Sequence, residues 1–418
     1  MPNITKLLLA QSLSAFAFRA FQILFAWLAL GATGSGHFLA MIVALSWLVN
    51  LFACPAAGVL VDRFGKRILT ASVLLSFAAT LMFWIDHSLL GYHPAFAALA
   101  LILMSVADSV VSIAPNSMIP LAAPSGDINR FVAYAASINS CQAIVGAVIG
   151  GSVMAFLGPD KALLILLLMF ALASLATLSL KLRPAKHGPT VEGKVARSEW
   201  LKGFRAVKTI VPERLSCLLA AVINFVFTPL ISIIVPVYIR LALHAPISYL
   251  VGAEISLGCG MLFGTFAAPR LLQRGATRLS VLVAGTVLMA VCIAGISSTT
   301  TLWVQALALA LIGSGAACFN IASSSLRGHA TPDLIRGRLE SAVFTCCVAS
   351  IPLGSWVFGL FVSDHGIHYL GWLTGGAGLA ILIMQVLLLL SRQTVAALTT
   401  PDRDLTGYYL KYFPNAFK

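Results

Sequence analysis

Gly58-Val59-Leu60-Val61-Asp62-Arg63-Phe64-Gly65-Lys66-Arg67 stands between two long apolar runs, closing the second and opening the third. Charge this dense is too costly for hydrocarbon, so the stretch is expected to be an aqueous turn. Gly58 and Gly65 allow a tight fold or a close helix approach. Arg63, Lys66 and Arg67 mark a cytoplasmic side, where basic residues accumulate. Asp62 is an acid among bases, suited to pair with a cation or to face a helix N-terminus. The plain alternative is an ordinary positively charged cytoplasmic loop.

The surrounding chain supports a membrane reading. Of its 418 residues 59% are hydrophobic and 10% charged, and the mean hydropathy is +0.96. A soluble chain would carry about 25% charged residues. The net charge of +13 is therefore read as a loop bias of a membrane protein and not as a nucleic-acid footprint. Twelve apolar runs are long enough to span a bilayer, near 7–31, 36–60, 68–88, 94–118, 130–157, 161–182, 214–241, 247–269, 277–297, 301–326, 338–362 and 368–391. An even count puts both termini on one side. With that side cytoplasmic, the outer segments hold only Lys161 and Arg240, Arg19 lies inside the first run, and the other 24 bases face the cytoplasm. No cleavage site follows Met1–Lys6, so the first helix is expected to serve as its own insertion signal. The eight cysteines all fall within apolar runs without C-x-x-C spacing and read as small buried hydrophobes. Asp364, His365 and His368 read as a polar outer loop and not a metal site, because no further ligand completes a shell.

The longest interruption, 183–213, divides the chain. The expected layout is an N-terminal six-helix bundle at 1–183, a cytoplasmic linker at 184–213, a C-terminal six-helix bundle at 214–391 and a cytoplasmic tail at 392–418. In the linker Trp200, Phe204 and Val207 share one helical face and Lys202, Arg205 and Lys208 another, a pattern suited to lying on the inner membrane surface. The tail's Tyr408, Tyr409, Tyr412 and Phe413 read as interfacial aromatics. The two halves repeat: Pro124 precedes Arg130 as Pro332 precedes Arg338, 208 residues apart, and Gly58 and Gly264 precede basic loops 206 residues apart. Such internal repeats are a transporter architecture.

The opening stretch resembles the signature between helices 2 and 3 of the major facilitator superfamily, with Gly58, Asp62, Arg63, Gly65, Lys66 and Arg67 in the family's positions. Its second copy, Pro269-Arg270-Leu271-Leu272-Gln273-Arg274-Gly275, has no acid. The resemblance implies an all-α polytopic fold of twelve transmembrane helices in two pseudo-symmetric halves. It makes Gly58, Asp62, Arg63, Gly65, Lys66, Arg67, Arg130 and Arg338 the gating set, with Asp62 expected at the start of run 11. Runs 2, 5, 8 and 11 become the faces between the halves. The Gly146-Ala147-Val148-Ile149-Gly150-Gly151 segment of run 5 resembles the antiporter motif Gly-Pro-x-x-Gly-Gly, with Ala147 in place of proline. Gly146, Gly150 and Gly151 are then interface glycines suited to a rocking motion; static packing is the plain alternative. Pro115-Asn116-Ser117-Met118-Ile119-Pro120 resembles the bacterial branch that includes siderophore and macrolide exporters.

Three charges lie well inside runs: Arg19, Asp108 and Glu254. Each costs at least about 2.5–3.5 kcal/mol near the bilayer centre, which makes it a candidate functional residue. Arg19 and Asp108, in runs the resemblance places around the central cavity, are expected to pair. Asp108 and Glu254 are the candidate proton-coupling acids. A clasp or a structural hydrogen bond is the plain alternative for each. Arg19, Gln22, Asn224, Tyr238 and Asn320 are the candidate substrate-cavity residues. With nearby Phe and Trp they suit an amphiphilic organic molecule.

No catalytic constellation or nucleotide-binding loop is visible, so neither an enzyme nor a cofactor is expected. The reading is a bacterial inner-membrane exporter of small amphiphilic molecules, drug-like or siderophore-like. It works by alternating access and proton antiport. Its partners are a small-molecule substrate, protons and the lipid bilayer; it binds no nucleic acid and is a monomer. Proton-coupled uptake of a sugar or organic acid is the first alternative. A non-transporting membrane scaffold or sensor is the second.

Overall fold

A computed structural model describes residues 3–122, 128–181, 202–298, 301–364 and 369–417. Every regular element among them is helical. Eleven helices among the described residues are long and apolar enough to cross a bilayer. The remaining expected run, 130–157, is a helix from Ile128 to Ala147, a π turn at Val148–Ser152 and a short helix Val153–Leu157.

The first half begins with α1 (Asn3–Thr33), α2 (Gly36–Phe64), α3 (Lys66–Ile85), α4 (Pro94–Val111) and α5 (Ala114–Ala122), then α6 (Ile128–Ala147), α7 (Val153–Leu157) and α8 (Pro159–Leu178). The signature stretch is tighter than an aqueous loop. α2 runs on to Phe64 and α3 starts at Lys66, so Gly65 alone makes the connection. Its φ of 53° is the left-handed value that favours glycine, and its N–H donates to Val61 O at 2.8 Å. Lys66 Nζ reaches back to Leu180 O at 2.7 Å, capping the chain after α8. The side chains of Asp62 and Arg130 lie outside the described residues. Run 4 divides at Ser112–Ile113, because Pro115 suits the first turn of a new helix and not the interior of an old one.

The second half contains α9 (202–209), α10 (Val211–Pro229), α11 (Val235–Val237), α12 (Ile247–Gln273), α13 (Arg278–Gly295), α14 (Leu302–Ala330), α15 (Asp333–Asp364) and α16 (Leu370–Leu390). The final segment forms α17 (Arg392–Thr399), α18 (Asp402–Leu405) and α19 (Tyr408–Tyr412). Run 7 is continuous but unevenly wound, with π turns at Leu230–Ile234 and Tyr238–Ala242 on either side of α11. Pro236 lacks an N–H and crowds the carbonyl four residues back, and a wide turn relieves that conflict.

Contacts group the chain into two units that cut across the repeat. The first holds 1–188, 230–255 and 355–364; the second holds 189–229, 256–354 and 365–418. In the first unit the rings of Phe21, Phe25 and Phe83 cluster with centroids 5.5–6.1 Å apart. In the second, small residues bring helices to backbone contact: a Cβ on Gly260 of α12 would overlap the Ala310 carbonyl of α14. Large apolar side chains such as Phe156, Trp303 and Trp372 face outward, as a hydrocarbon surround permits.

Three expectations change. α9 does not offer its apolar face to a membrane surface: Ala206 and Val207 are buried in the second unit, and Gly203 lets the helix lie against the Arg338 carbonyl. Residues 182–201, including Trp200, lie outside the described residues. The tail aromatics are not all interfacial, since Tyr409 has no exposed surface. Of the eight cysteines only Cys217 is buried, and Cys259 is exposed, because a small thiol costs little on either face of a membrane helix. The segment 365–368 with its two histidines also lies outside the described residues.

Candidate functional site

α1 carries Arg19 and Gln22 one turn apart, so both point from one face. Arg19 Nη1 donates to Gln22 Oε1 at 3.1 Å. Its Nη2 donates to Glu254 Oε2 of α12 at 2.5 Å, a charge-assisted contact within the first unit. The Arg19 side chain is 17% exposed and that of Glu254 4%, so the pair is largely withdrawn from solvent. Arg19 Nε is buried without a hydrogen-bond partner.

Two glycines seat this arginine. A Cβ on Gly146 would stand 2.5 Å from Arg19 Cβ, and one on Gly150 would stand 2.9 Å from Ala20 Cα. Both therefore hold run 5 close against α1 of its own half. Gly151 does meet the second half's sequence, at Val251 of α12.

The pair lines a narrow recess of about 40 Å³ in the first unit. Arg19, Gln22 and Glu254 supply its charge and polarity, with Ser46 and Ser232; Phe25, Trp47, Ile231 and Pro236 supply apolar wall. Mostly apolar walls with a few convergent polar groups are the kind of lining found in small-organic-ligand sites. Among the described residues no group of His, Cys, Asp and Glu is arranged to hold a metal ion.

The expected pairing of Arg19 with Asp108 is not the one found, because Arg19 is taken by Glu254. Asp108 is half-buried on α4 and does not line this cavity. Its neighbour Ser109 accepts from Asn50 Nδ2 at 3.1 Å, and Asn50 Oδ1 accepts from Cys54. Tyr238 belongs to the first unit but is not among the lining residues. Asn224 and Asn320 belong to the second unit, and Asn320 is exposed. Ser46, Trp47 and Ser232 were missed. Trp47, an aromatic amid aliphatic residues, is the one carrying a legible signal.

Near this site Arg240 stacks over the Trp27 ring at 4.4 Å. Gly31 makes room for it, since a side chain there would collide with the guanidinium. A second charge cluster lies in the second unit, with Glu213 and Arg327 buried and Glu340 at its exposed edge. It was missed because each member sits at a run boundary, where charges are ordinary.

A sequence profile of the Major Facilitator Superfamily matches residues 7–346. An uncharacterized MFS-type transporter of Sinorhizobium fredii, y4rN, is 23% identical over 385 residues, covering 87% of this chain and 89% of that protein. Among solved structures, a D-xylose–proton symporter superposes with a TM-score of 0.70 at 15% identity, covering 91% of this chain and 96% of the other. A bacterial homologue of the iron transporter ferroportin, in an inward-facing state, gives 0.70 at 15% identity over 92% and 98%. The nucleoside transporter NupG gives 0.68 at 14% identity over 93% and 98%.

Proposed function

The chain belongs to the major facilitator superfamily of membrane transporters, and from that premise we propose that it exports small amphiphilic molecules in exchange for protons. The observation that carries this reading is the Arg19–Glu254 pair on the cavity wall. A guanidinium is a fixed cation, whereas a carboxylate is a base that a proton can neutralise. Protonation dissolves the pair, so the cavity has two charge states. A substrate donor group, an amine or hydroxyl, would take the same carboxylate that a proton takes. One acceptor with two exclusive occupants is the requirement for exchange. Asp108 is the second candidate acid on this reading.

The gating role of Asp62, Arg130, Arg338 and the rest of the signature belongs to the same proposal. So do the layout of two bundles, linker and tail, the bacterial inner membrane, the cytoplasmic termini and the monomeric state. One observation favours a second reading, proton-coupled uptake of an anionic solute. The buried Nε of Arg19 lacks an acceptor, and a carboxylate could supply one once Glu254 is protonated. The D-xylose–proton symporter shows that this fold accommodates proton symport.

Vesicles separate the two. Inverted vesicles with an acidic interior should accumulate cationic or neutral amphiphiles from a test panel, and Glu254→Gln should abolish the stimulation by the pH gradient. Accumulation of anionic solutes by right-side-out vesicles in acidic medium would select symport instead. No gradient-dependent movement of any panel member in either orientation would defeat both.

A further inference from the structure

We propose that the segment after Ser391 is a strap that binds the ends of α10, α13, α14 and α15 into one piece, with Tyr409 as its positioning residue, and that this strap sets the rate of the transport cycle. The last clause rests on the transporter reading above; the first does not.

The strap is built into the second unit. Ser391 ends α16 and caps α17, accepting from Thr394 N at 3.3 Å. α17 buries Thr394, Ala397 and Leu398, and α18 buries Leu405. Arg278, the first residue of α13, holds the turn between them: Nη1 donates to Thr400 O at 2.9 Å and Nη2 pairs with Asp402. Gly407, at φ 70°, then turns the chain so that α19 delivers Tyr409 inward. Tyr409 is among the largest side chains that are fully buried.

The Tyr409 hydroxyl donates to Glu213 Oε1 at 2.6 Å. Glu213, 1% exposed in the first turn of α10, accepts at its other oxygen from Arg327 Nε at 2.8 Å. Arg327, in the last turn of α14, donates from Nη1 to Glu340 Oε2 of α15, also at 2.8 Å. Four elements thus meet through one guanidinium and one carboxylate whose two oxygens are both engaged. Burial and the adjacent Glu213 charge hold the Tyr409 phenol well above its ordinary pKa, so it remains a neutral donor across the physiological range. Phenylalanine would fill the same space and leave Glu213 Oε1 without that donor.

The protein's own thiols report on this joint. Cys217 lies one turn beyond Glu213 on α10 and faces Cys346 and Cys347 of α15. Cys54 and Cys141 lie in the first unit and serve as internal controls. The experiment labels the full-length protein in membranes with N-ethylmaleimide and resolves the rate peptide by peptide, in wild type, Tyr409→Phe and Tyr409→Ala. A hydrogen bond to a charged group is worth about 1.5–3 kcal/mol, so Tyr409→Phe should speed labelling of Cys217, Cys346 and Cys347 by roughly tenfold or more. Cys54 and Cys141 should be unchanged. Transport by Tyr409→Phe should show a lower maximal rate with the KM of wild type, because no cavity-lining residue belongs to the strap. Wild-type labelling in both variants would overturn the strap, and faster labelling with an unaltered maximal rate would overturn its control of the transport cycle. If the wild-type protein moves no panel substrate, the exporter reading fails, and the labelling result alone decides whether the strap exists.

Discussion

Arg19 and Glu254 show what a single residue announces and what it conceals. Each is conspicuous in the sequence as a charge within hydrocarbon, and each lines the cavity. Their partnership was not legible. It depends on how α1 and α12 are rotated about their axes, and one sequence does not fix rotation. The expected partner Asp108 was chosen by depth and by its place on a run expected to line the cavity, and neither distinguishes the faces of a helix. Removing one partner of a buried pair strands the other charge, which costs about 3–5 kcal/mol. Arg19→Gln and Glu254→Gln should therefore each lower stability, while the double variant, which buries no net charge, should regain most of the loss. Thermal unfolding in detergent checks the order. Equal stability of the singles and wild type would show that the pair is not buried in solution.

At the scale of elements, apolar length located the helices well, and the breaks followed proline chemistry at Pro115 and Pro236. The periodicity of 202–208 correctly gave a two-faced helix over its described part. What covers the apolar face is a property of tertiary packing, and here it is the protein itself. Glycines are similarly mute in sequence. Gly260 and Gly252 both lie on α12, yet a Cβ at Gly260 would enter the α14 backbone while one at Gly252 meets open space. Gly260→Ala should accordingly cost about 1–3 kcal/mol through forced displacement. Gly252→Ala should be neutral or gain up to about 1 kcal/mol in helix propensity. Melting temperatures of the two variants compared with wild type test the contrast. A tolerated Gly260→Ala would mean that α12 and α14 are less closely packed than described.

At the scale of the whole molecule, the repeat and the charge bias were the legible features. The expected placement of 24 of 27 bases on one side is a testable statement about topology in the membrane. Alkaline phosphatase fused after Gly91 or Ala245 should be active, and fused after Gly65 or Gly275 inactive; green fluorescent protein should give the reverse pattern. Activity after Gly65 would invert the assignment. The contact units were not legible. The repeat assigns all of α12 and α15 to the second half, whereas residues 247–255 and 355–364 pack within the first unit. Chain symmetry records ancestry and connectivity. Which ends of the helices associate reflects the packing of one conformation.

The two π turns of run 7 carry a further consequence, best expressed as phase. An α-helix advances about 100° per residue, and each π turn accommodates roughly one residue that the regular winding does not count. Every side chain beyond Leu230–Ile234 is thus turned by about that angle from where an unbroken helical wheel draws it. Tyr238 was assigned to the cavity by its run, with no rotation fixed, and it is not among the lining residues. A surplus residue of this kind can be handed from one turn to the next without breaking the helix. Its handover would re-aim Pro236 and Arg240 together, as a key turns all its teeth at once.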